Sequence, residues 1–343
     1  ADTPPTRRAG PGEAGVGRET MPIPGPRGPP APRGPRCVRA RASPLPRRGP
    51  PRAGPATPGG PSPPDTLGRH LRDSERRAAP TLRVARFSLE GNVGFGVLDT
   101  DPDRDEPVLD VVRGHPFGGV ERSGRHIPLK AVRLLPPVLP NKVVAVGRNY
   151  AEHARELGNE VPGTPVIFLK PSTSVIGPGD PVPYPSFSRE VHHEAELAVV
   201  IGRMCREVPP SRAAEVILGY TCANDITARD IQRSEEQWTR AKGFDGSCPL
   251  GPWVETELTP ERAADLAIMC TVNGEQRQLG RTGEMVRGIP ELIAHITEAM
   301  TLLPGDVILT GTPAGVGPLE IGDEVAVTIE GIGTLTNKVV KRD

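Results

Sequence analysis

The run VHHEAELAVVIG (191–202) constrains this chain more than any other. Its alternation and β-branched end are those of a strand, in which residues two apart share a face. Ala195, Leu197 and Val199 then enter a core, and Glu194 and Glu196 stand side by side on the other face. Two neighbouring carboxylates repel, so one must take up a proton or the pair must hold a cation. A third acid, Asp225 in YTCANDITARD, follows a second apolar run, where a strand would end. Three hard oxygen ligands suit Mg²⁺, Mn²⁺ or Ca²⁺ better than zinc, which prefers His and Cys. An E-x-E pair on a strand commonly marks a solvated face. The motifs around this one favour a cation site and therefore an enzyme.

The remaining pattern is rich in short strands. LRVARFSLEGNVGFGVLD (82–99) alternates and breaks at Gly91-Asn92, a hairpin signal. VLDVVRG (108–114) adds a strand, and HPFGGVERSGRHIPL (115–129) reads as a turn-rich connector. KVVAVG (142–147) and PVIFLK (165–170) have buried-strand patterns. Between them RNYAEHARELG (148–158) reads as a helix stopped by Gly158. SRAAEVILGYTCAND (211–225) combines a helix and a strand. PERAADLAIMCTVNGEQRQLG (260–280) carries an Asn273-Gly274 hairpin signal. IPELIAHITEAMTLLPGD (289–306) is an amphipathic helix ending near Pro304-Gly305. VILTGTP and DEVAVTIEGIGTLTNKVV supply the last strands. No regular βαβ alternation or internal repeat emerges, which points to a β-rich α+β domain rather than a Rossmann fold.

Composition divides the chain. Residues 1–80 hold 20 of the 43 prolines, 15 Arg, no Lys and 6 acids, a net charge of +9, and residues 81–343 carry the compensating −9. With few apolar side chains and no stable period, residues 1–80 read as a disordered Pro/Arg/Gly-rich extension. Residues 81–138 read as a small N-terminal β module and 139–343 as a metal-dependent catalytic domain. The basic arm lacks interleaved aromatics, which speaks against nucleic-acid stacking. Its Pro and Gly content forbids the amphipathic helix of a transit peptide. An incidental extension is the favoured reading: the chain starts at Ala1 and a strand-like pattern begins only at Leu82. No run of 18 apolar residues suggests a membrane span. Cys37, Cys205, Cys222, Cys248 and Cys270 form no C-x-x-C. They read as reduced thiols of a cytoplasmic protein, with Cys222 and Cys270 as small core residues.

Other residue types carry chemistry. His153 and Glu156 lie three apart on the expected helix and share a face. A carboxylate beside an imidazole orients it and raises its basicity. Lys170 ends a strand before a Gly/Pro-rich loop, and Lys242 falls in RAKGFDGSCPLGPW, read as a loop. Both suit a substrate carboxylate or an enolate oxygen. Arg229 and Gln232 follow Asp225 by four and seven residues, one face if TARDIQ is helical. Thr312 lies in GTPAGVG, which lacks the G-K-[ST] ending of a P-loop and fits an anion-binding turn better. His192 and His193 flank Glu194 without an H-E-x-x-H pattern, and they read as supporting or structural. No G-x-S-x-G occurs, so a serine hydrolase is unsupported.

VGRNYAEHARELG, PVIFLKPSTSVIGPGD, VHHEAELAVVIG, YTCANDITARDIQ, AKGFDGSCPLGPW, VNGEQRQ and ILTGTPAGVG, in that order, make the chain from about Leu82 onward resemble the fumarylacetoacetate hydrolase superfamily. It looks most like its short bacterial members with a small N-terminal β module. These include the acylpyruvases and the 2-hydroxyhepta-2,4-diene-1,7-dioate isomerases. The resemblance implies a mixed β-sandwich roll, usually a homodimer. It implies Mg²⁺ or Mn²⁺ on Glu194, Glu196 and Asp225, and a proton-moving dyad of His153 and Glu156 on a segment that often becomes a lid. It places Lys242 beside the reacting oxygen and Arg229, Gln232 and Thr312 on the substrate's carboxylate or keto group. The expected reaction is hydrolysis of a C–C bond in an acylpyruvate-type 2,4-diketo acid through a stabilised enolate. Isomerisation and oxaloacetate decarboxylation use the same intermediate. A non-catalytic metal or keto-acid binding protein is the alternative of another class.

Overall fold

The computed structural model describes residues 82–100 and 106–342. The readings of residues 1–80, Cys37 included, lie outside the described residues.

Four strands open the fold: β1 (Arg83–Leu89), β2 (Asn92–Thr100), β3 (Pro107–Arg113) and β4 (Glu121–Pro128). They pair consecutively and antiparallel. The β1–β2 turn falls at Glu90-Gly91, both at positive φ, one residue before the expected break. HPFGGVERSGRHIPL is not simply a connector, because it contains β4. That strand lies at a sheet edge, and most of its residues are exposed. It therefore carries no apolar alternation by which a strand announces itself. Ala85, Phe87, Leu109 and Ile127 pack as the core of this module.

The chain continues through β5 (Arg133–Leu135), β6 (Lys142–Gly147), α1 (Ala151–Glu156), β7 (Val166–Pro171), β8 (Val175–Ile176), β9 (Pro181–Tyr184), β10 (Val191–His193) and β11 (Ala195–Ile201). Then come β12 (Ile217–Asn224), β13 (Thr227–Ala228), α2 (Arg229–Ser234), α3 (Thr239–Lys242), β14 (Cys248–Glu255) and α4 (Pro260–Ala263). Next are β15 (Ala267–Val272), β16 (Glu275–Arg281), α5 (Ile289–Ala299), β17 (Val307–Leu309), β18 (Gly317–Pro318), β19 (Glu324–Ile329) and β20 (Gly333–Lys341). Lys242 is thus the last residue of a short helix, not a loop residue.

Ten strands order as β4-β3-β2-β1-β14-β12-β11-β17-β6-β7, with β5 on β1 and β8 on β14. A second sheet orders as β16-β15-β19-β20-β9, and β13-β10-β18 form a small third one. The architecture is the expected strand-rich α+β fold with an N-terminal β module.

Strand β11 lies inside the first sheet between β12 and β17 and is buried along its whole length. Leu197, Val199 and Ile201 enter the larger core, which the second sheet and α5 help to build. Ala198 and Val200 enter another cluster on the opposite side. Burial on both faces explains the nearly continuous apolar run, and it isolates Glu196 as the one charged residue of the strand. Cys205, Cys222, Cys248 and Cys270 are buried free thiols. Among the described residues no helix is long and apolar enough to cross a membrane.

Candidate active site

Three sheet positions bring the acids together. Glu194 sits in the one-residue break between β10 and β11, and Glu196 two residues on. Asp225 follows the last residue of β12, which pairs antiparallel with β11 through Ala195 and Asn224. Asn224 Oδ1 accepts the Glu194 N–H at 2.9 Å, and the Glu194 carbonyl accepts the Asp225 N–H at 2.8 Å. The ends of the two strands are thereby locked. Oxygen atoms of Glu194, Glu196 and Asp225 lie within 4.8 Å of one another, all buried.

Three cations face them. Lys242 Nζ donates to Glu194 at 2.6 Å and to Asp225 at 2.7 Å. Arg229 donates to Glu194, and Lys170 Nζ donates to Asp225 at 2.6 Å. Burial works to raise the Glu194 carboxyl, but Lys242 and Arg229 outweigh it and hold the group well below the ordinary carboxylate range. Glu196 goes the other way. Burial, then Asp225 and Glu194, push it well above that range, and the Gly311 N–H it accepts only partly offsets them. Burial lowers Lys242, but Asp225 and Glu194 more than reverse this, so it stays charged.

The donor set fits a divalent cation. All three ligand candidates offer oxygen, which is what Mg²⁺ and Mn²⁺ select. The charges agree as well. Once a cation displaces the proton held by Glu196, three carboxylates and three cations sum to zero, so a divalent ion leaves +2, which a dianionic ligand would neutralise.

The dyad sits beside this cluster. His153 is 5% exposed on α1, and its Nδ1 lies 3.3 Å from Glu156 Oε2. Glu156 also accepts the Gly315 N–H at 3.1 Å, which fixes the carboxylate from the far side. Burial lowers the imidazole's proton affinity, and the nearby Glu194 and Glu156 do not fully restore it. His153 is therefore neutral and able to accept a proton at neutral pH.

A cleft of about 320 Å³ joins these groups. His153, Glu194, Glu196, Asp225, Arg229, Gln232, Lys242 and Thr312 all line it. Arg229 and Gln232 share α2, and the guanidinium donates to Gln232 Oε1 at 2.5 Å. Lys170 does not line the cleft. It is fully buried behind Asp225, its ammonium also donating to the Lys242 carbonyl. Its expected contact with substrate is therefore corrected to support of Asp225. His192 and His193 support as expected. His192 Nε2 lies 3.0 Å from Glu190, and His193 Nδ1 lies 2.9 Å from Gln278.

Other contributors are not among the expected site residues. Gln278, fully buried, donates to the Thr312 hydroxyl at 2.7 Å, and that hydroxyl donates to the Ala195 carbonyl at 2.8 Å. It thus ties the Thr312 turn to the acid-bearing strand. Its place in VNGEQRQ after a hairpin gives no hint of this, because β16 only reaches the site through tertiary packing. Arg148, Phe168 and Trp238 line the outer cleft.

Comparison with known proteins accords with this geometry. Residues 142–340 match the fumarylacetoacetate (FAA) hydrolase C-terminal family, and residues 82–137 match the Rv2993c-like N-terminal family. The solved structure of 5-carboxymethyl-2-hydroxymuconate delta-isomerase from Mycobacterium smegmatis is 50% identical. It covers 76% of this chain and 100% of its own, with a TM-score of 0.70. The mitochondrial oxaloacetate tautomerase Fahd2a of Rattus norvegicus is 40% identical over 280 residues, 76% of this chain and 90% of its own. Fumarylpyruvate hydrolase from Pseudomonas aeruginosa, solved with Mn²⁺ and pyruvate, is 32% identical. It covers 61% of this chain and 92% of its own, with a TM-score of 0.56.

Proposed function

The chain belongs to the fumarylacetoacetate hydrolase family of enzymes, and from that premise we propose that it hydrolyses a C–C bond in acylpyruvate-type 2,4-dioxo acids with Mg²⁺ or Mn²⁺ as cofactor. The observation that carries this reading is the His153–Glu156 dyad, a buried neutral imidazole whose carboxylate partner is itself pinned by Gly315. A base so held beside an acid cluster is suited to taking a proton from water.

Glu194, Glu196 and Asp225 would hold the cation, which when bound supplies Lewis-acid polarisation of the substrate's 2-oxo group. Arg229, Gln232 and Thr312 would receive the adjoining carboxylate. His153 then removes a proton from water, and the hydroxide adds to the distal carbonyl. The bond between that carbonyl carbon and C3 breaks, and its electron pair passes into the enolate of pyruvate. Lys242, which lines the cleft, would stabilise the developing enolate oxygen. Return of the proton from His153 to C3 gives pyruvate and a carboxylic acid, which balances the water consumed.

A second reading has its own support: the relatives of 50% and 40% identity are named an isomerase and a tautomerase. In that case His153 takes a proton from carbon or enol oxygen and returns it to the other position, and no C–C bond breaks. Decarboxylation of oxaloacetate would reach the same enolate by loss of CO₂.

Full-length protein stripped of metal, then reloaded with Mg²⁺ or Mn²⁺, separates these. Metal-dependent pyruvate release from acetylpyruvate is the expected result. Metal-dependent loss of the enol absorbance of oxaloacetate without pyruvate release would replace hydrolysis with tautomerisation. Pyruvate from oxaloacetate alone would make the enzyme a decarboxylase.

A further inference from the structure

A second cavity, of about 130 Å³, shares no lining residue with the acid cleft. It lies on the seam between the N-terminal module and the strands that carry the acids. On β1, Ala85 and Phe87 enter the module's own core, so Val84 and Arg86 stand on the opposite face. The register sets Phe95 of β2 across from Arg86, and Val254 of β14 across from Val84. With Leu218 of β12 these side chains line the sheet side of the cavity. The turn from His115 to Phe117 and the linker from Pro137 to Leu139 supply the rest of the wall.

The wall is braced from behind. The His115 ring lies 4.9 Å from the centroids of both Phe95 and Phe117. A Cβ at Gly305, whose φ is +88°, would meet Phe117 Cζ at 3.2 Å, so Phe117 rests on the turn before β17. Leu139 stands at the rim with 66% of its surface exposed, apolar area that an occupant could cover. A braced apolar cavity with few polar groups, at a junction between modules, has the make-up of a small-molecule site.

Arg86 tells what such a site would take. It is half-buried and carries the one permanent charge of the lining. Arg83, three residues earlier, reaches Glu255 at 3.4 Å. Arg86 has no carboxylate partner among the described residues, and its Nη1 meets the Pro136 carbonyl only at 3.5 Å, the outer limit of a hydrogen bond. Burial lowers its proton affinity, yet a guanidinium keeps its charge. A charge held among apolar groups without a counter-ion costs free energy that an anionic ligand would recover. The remaining space is about that of one benzene ring, which fills a cavity of about 150 Å³.

We propose that this seam cavity is a second binding site, for a small aromatic monocarboxylate whose ring lies among Phe95, Phe117 and Val254 and whose carboxylate pairs with Arg86. The guanidinium fork matches a carboxylate in a bidentate pair. β1 and β2 belong to the N-terminal module, and β12 and β14 to the sheet behind the acid cleft. The ligand therefore ties the module to that sheet and stabilises the native junction.

Titration of the full-length, Mg²⁺-loaded protein with benzoate, benzamide and acetate, followed by ligand NMR, tests this. Benzoate is expected to bind roughly ten-fold or more tightly than benzamide, its uncharged counterpart, as for a hydrogen bond between charged partners. Acetate lacks the ring and should bind roughly thirty-fold more weakly than benzoate. R86Q should bring benzoate down to benzamide, and R86K should keep part of the preference, as a charge without the fork. L218W, which fills the cavity from β12, should lose both ring-bearing probes. Benzoate should raise the melting temperature of the wild type and leave that of R86Q unchanged. No binding of benzoate, equal binding of benzoate and benzamide by the wild type, or a benzoate preference that survives R86Q overturns the proposal, the last by placing the anion elsewhere, the acid cleft included.

Discussion

Lys170 and Lys242 both touch Asp225 but stand on opposite sides of it. Lys242 faces the cleft, and Lys170 is sealed behind the carboxylate. Removing one partner of a buried ion pair costs about 3–5 kcal/mol, because the other charge is left uncompensated. Asp225 keeps Lys242, so Lys170→Met should destabilise the metal-free protein by about 3 kcal/mol, the low end of that range. Urea denaturation would show this, and saturating Mn²⁺ should restore more stability to the variant than it adds to the wild type. An unchanged midpoint would remove Lys170 from the charge balance. The burial of Lys170 left no trace in the sequence, because side-chain type points the other way from the observed burial. In PVIFLK it alternates with the exposed Leu169 and shares a face with Phe168. His153 makes a separate prediction about pH. Its proton affinity is below the ordinary imidazole value of 6.5, chiefly through burial, so it remains an unprotonated base below that pH. The acid limb of kcat/KM, followed at saturating metal, should fall below 6.5. A bound cation would push the same way. His153→Gln should lower kcat by about 10²–10⁴, the usual contribution of a general base.

The segment from β6 into α1 meets the turn after β17, and two strand ends are set against each other there. Gly311 has φ +101°, and its N–H donates to Glu196 at 2.6 Å. A Cβ there would lie 2.8 Å from Asn149 Cβ. Gly311→Ala therefore meets both a forbidden φ and a backbone-anchored neighbour. A loss of about 1–3 kcal/mol is expected, with weaker Mn²⁺ binding because relief of the clash displaces the backbone N–H that anchors Glu196. Gly163→Ala is the control, having no atom within 4 Å of the added Cβ and no positive φ. It should stay within about 0.5 kcal/mol of the wild type. Thermal denaturation and Mn²⁺ titration of both variants compare them directly. Gly311 was legible as part of a Gly-rich turn, but its partner was not. The turn and Asn149 are brought together by parallel pairing of β17 with β6, and no local pattern encodes that contact. β4 escaped for another reason: an exposed edge strand has no buried face to alternate. The acid-bearing run could be read because burial on both faces of β11 leaves Glu196 as a charged interruption.

At the scale of the molecule, the site is a junction of segments distant in the chain. α1, the β10–β11 break, the end of β12, α2, α3 and the turns after β17 each contribute. Their chemical types were legible one by one. Their convergence follows from strand order, in which β17 enters between β11 and β6 and β14 joins β12 to β1. A ligand bridging such a junction stabilises the native state as a whole, because no single segment retains the site when unfolded. Cation binding to the native state alone should add about 2.7 kcal/mol at a hundredfold excess over Kd. The effect should grow with pH, and the sign follows from Glu196. Burial and its acidic neighbours raise its proton affinity in the metal-free fold, so at low pH it holds a proton that a cation must displace. As pH rises through that raised value, the metal-free fold loses stability, since the unfolded chain has already released the proton. The cation relieves that loss. Thermal denaturation of the full chain with and without Mg²⁺ should therefore separate the two curves more at mildly alkaline than at mildly acidic pH. Glu194→Gln should largely abolish the separation at both. A metal-induced shift that persists in this variant would place the cation elsewhere on the molecule.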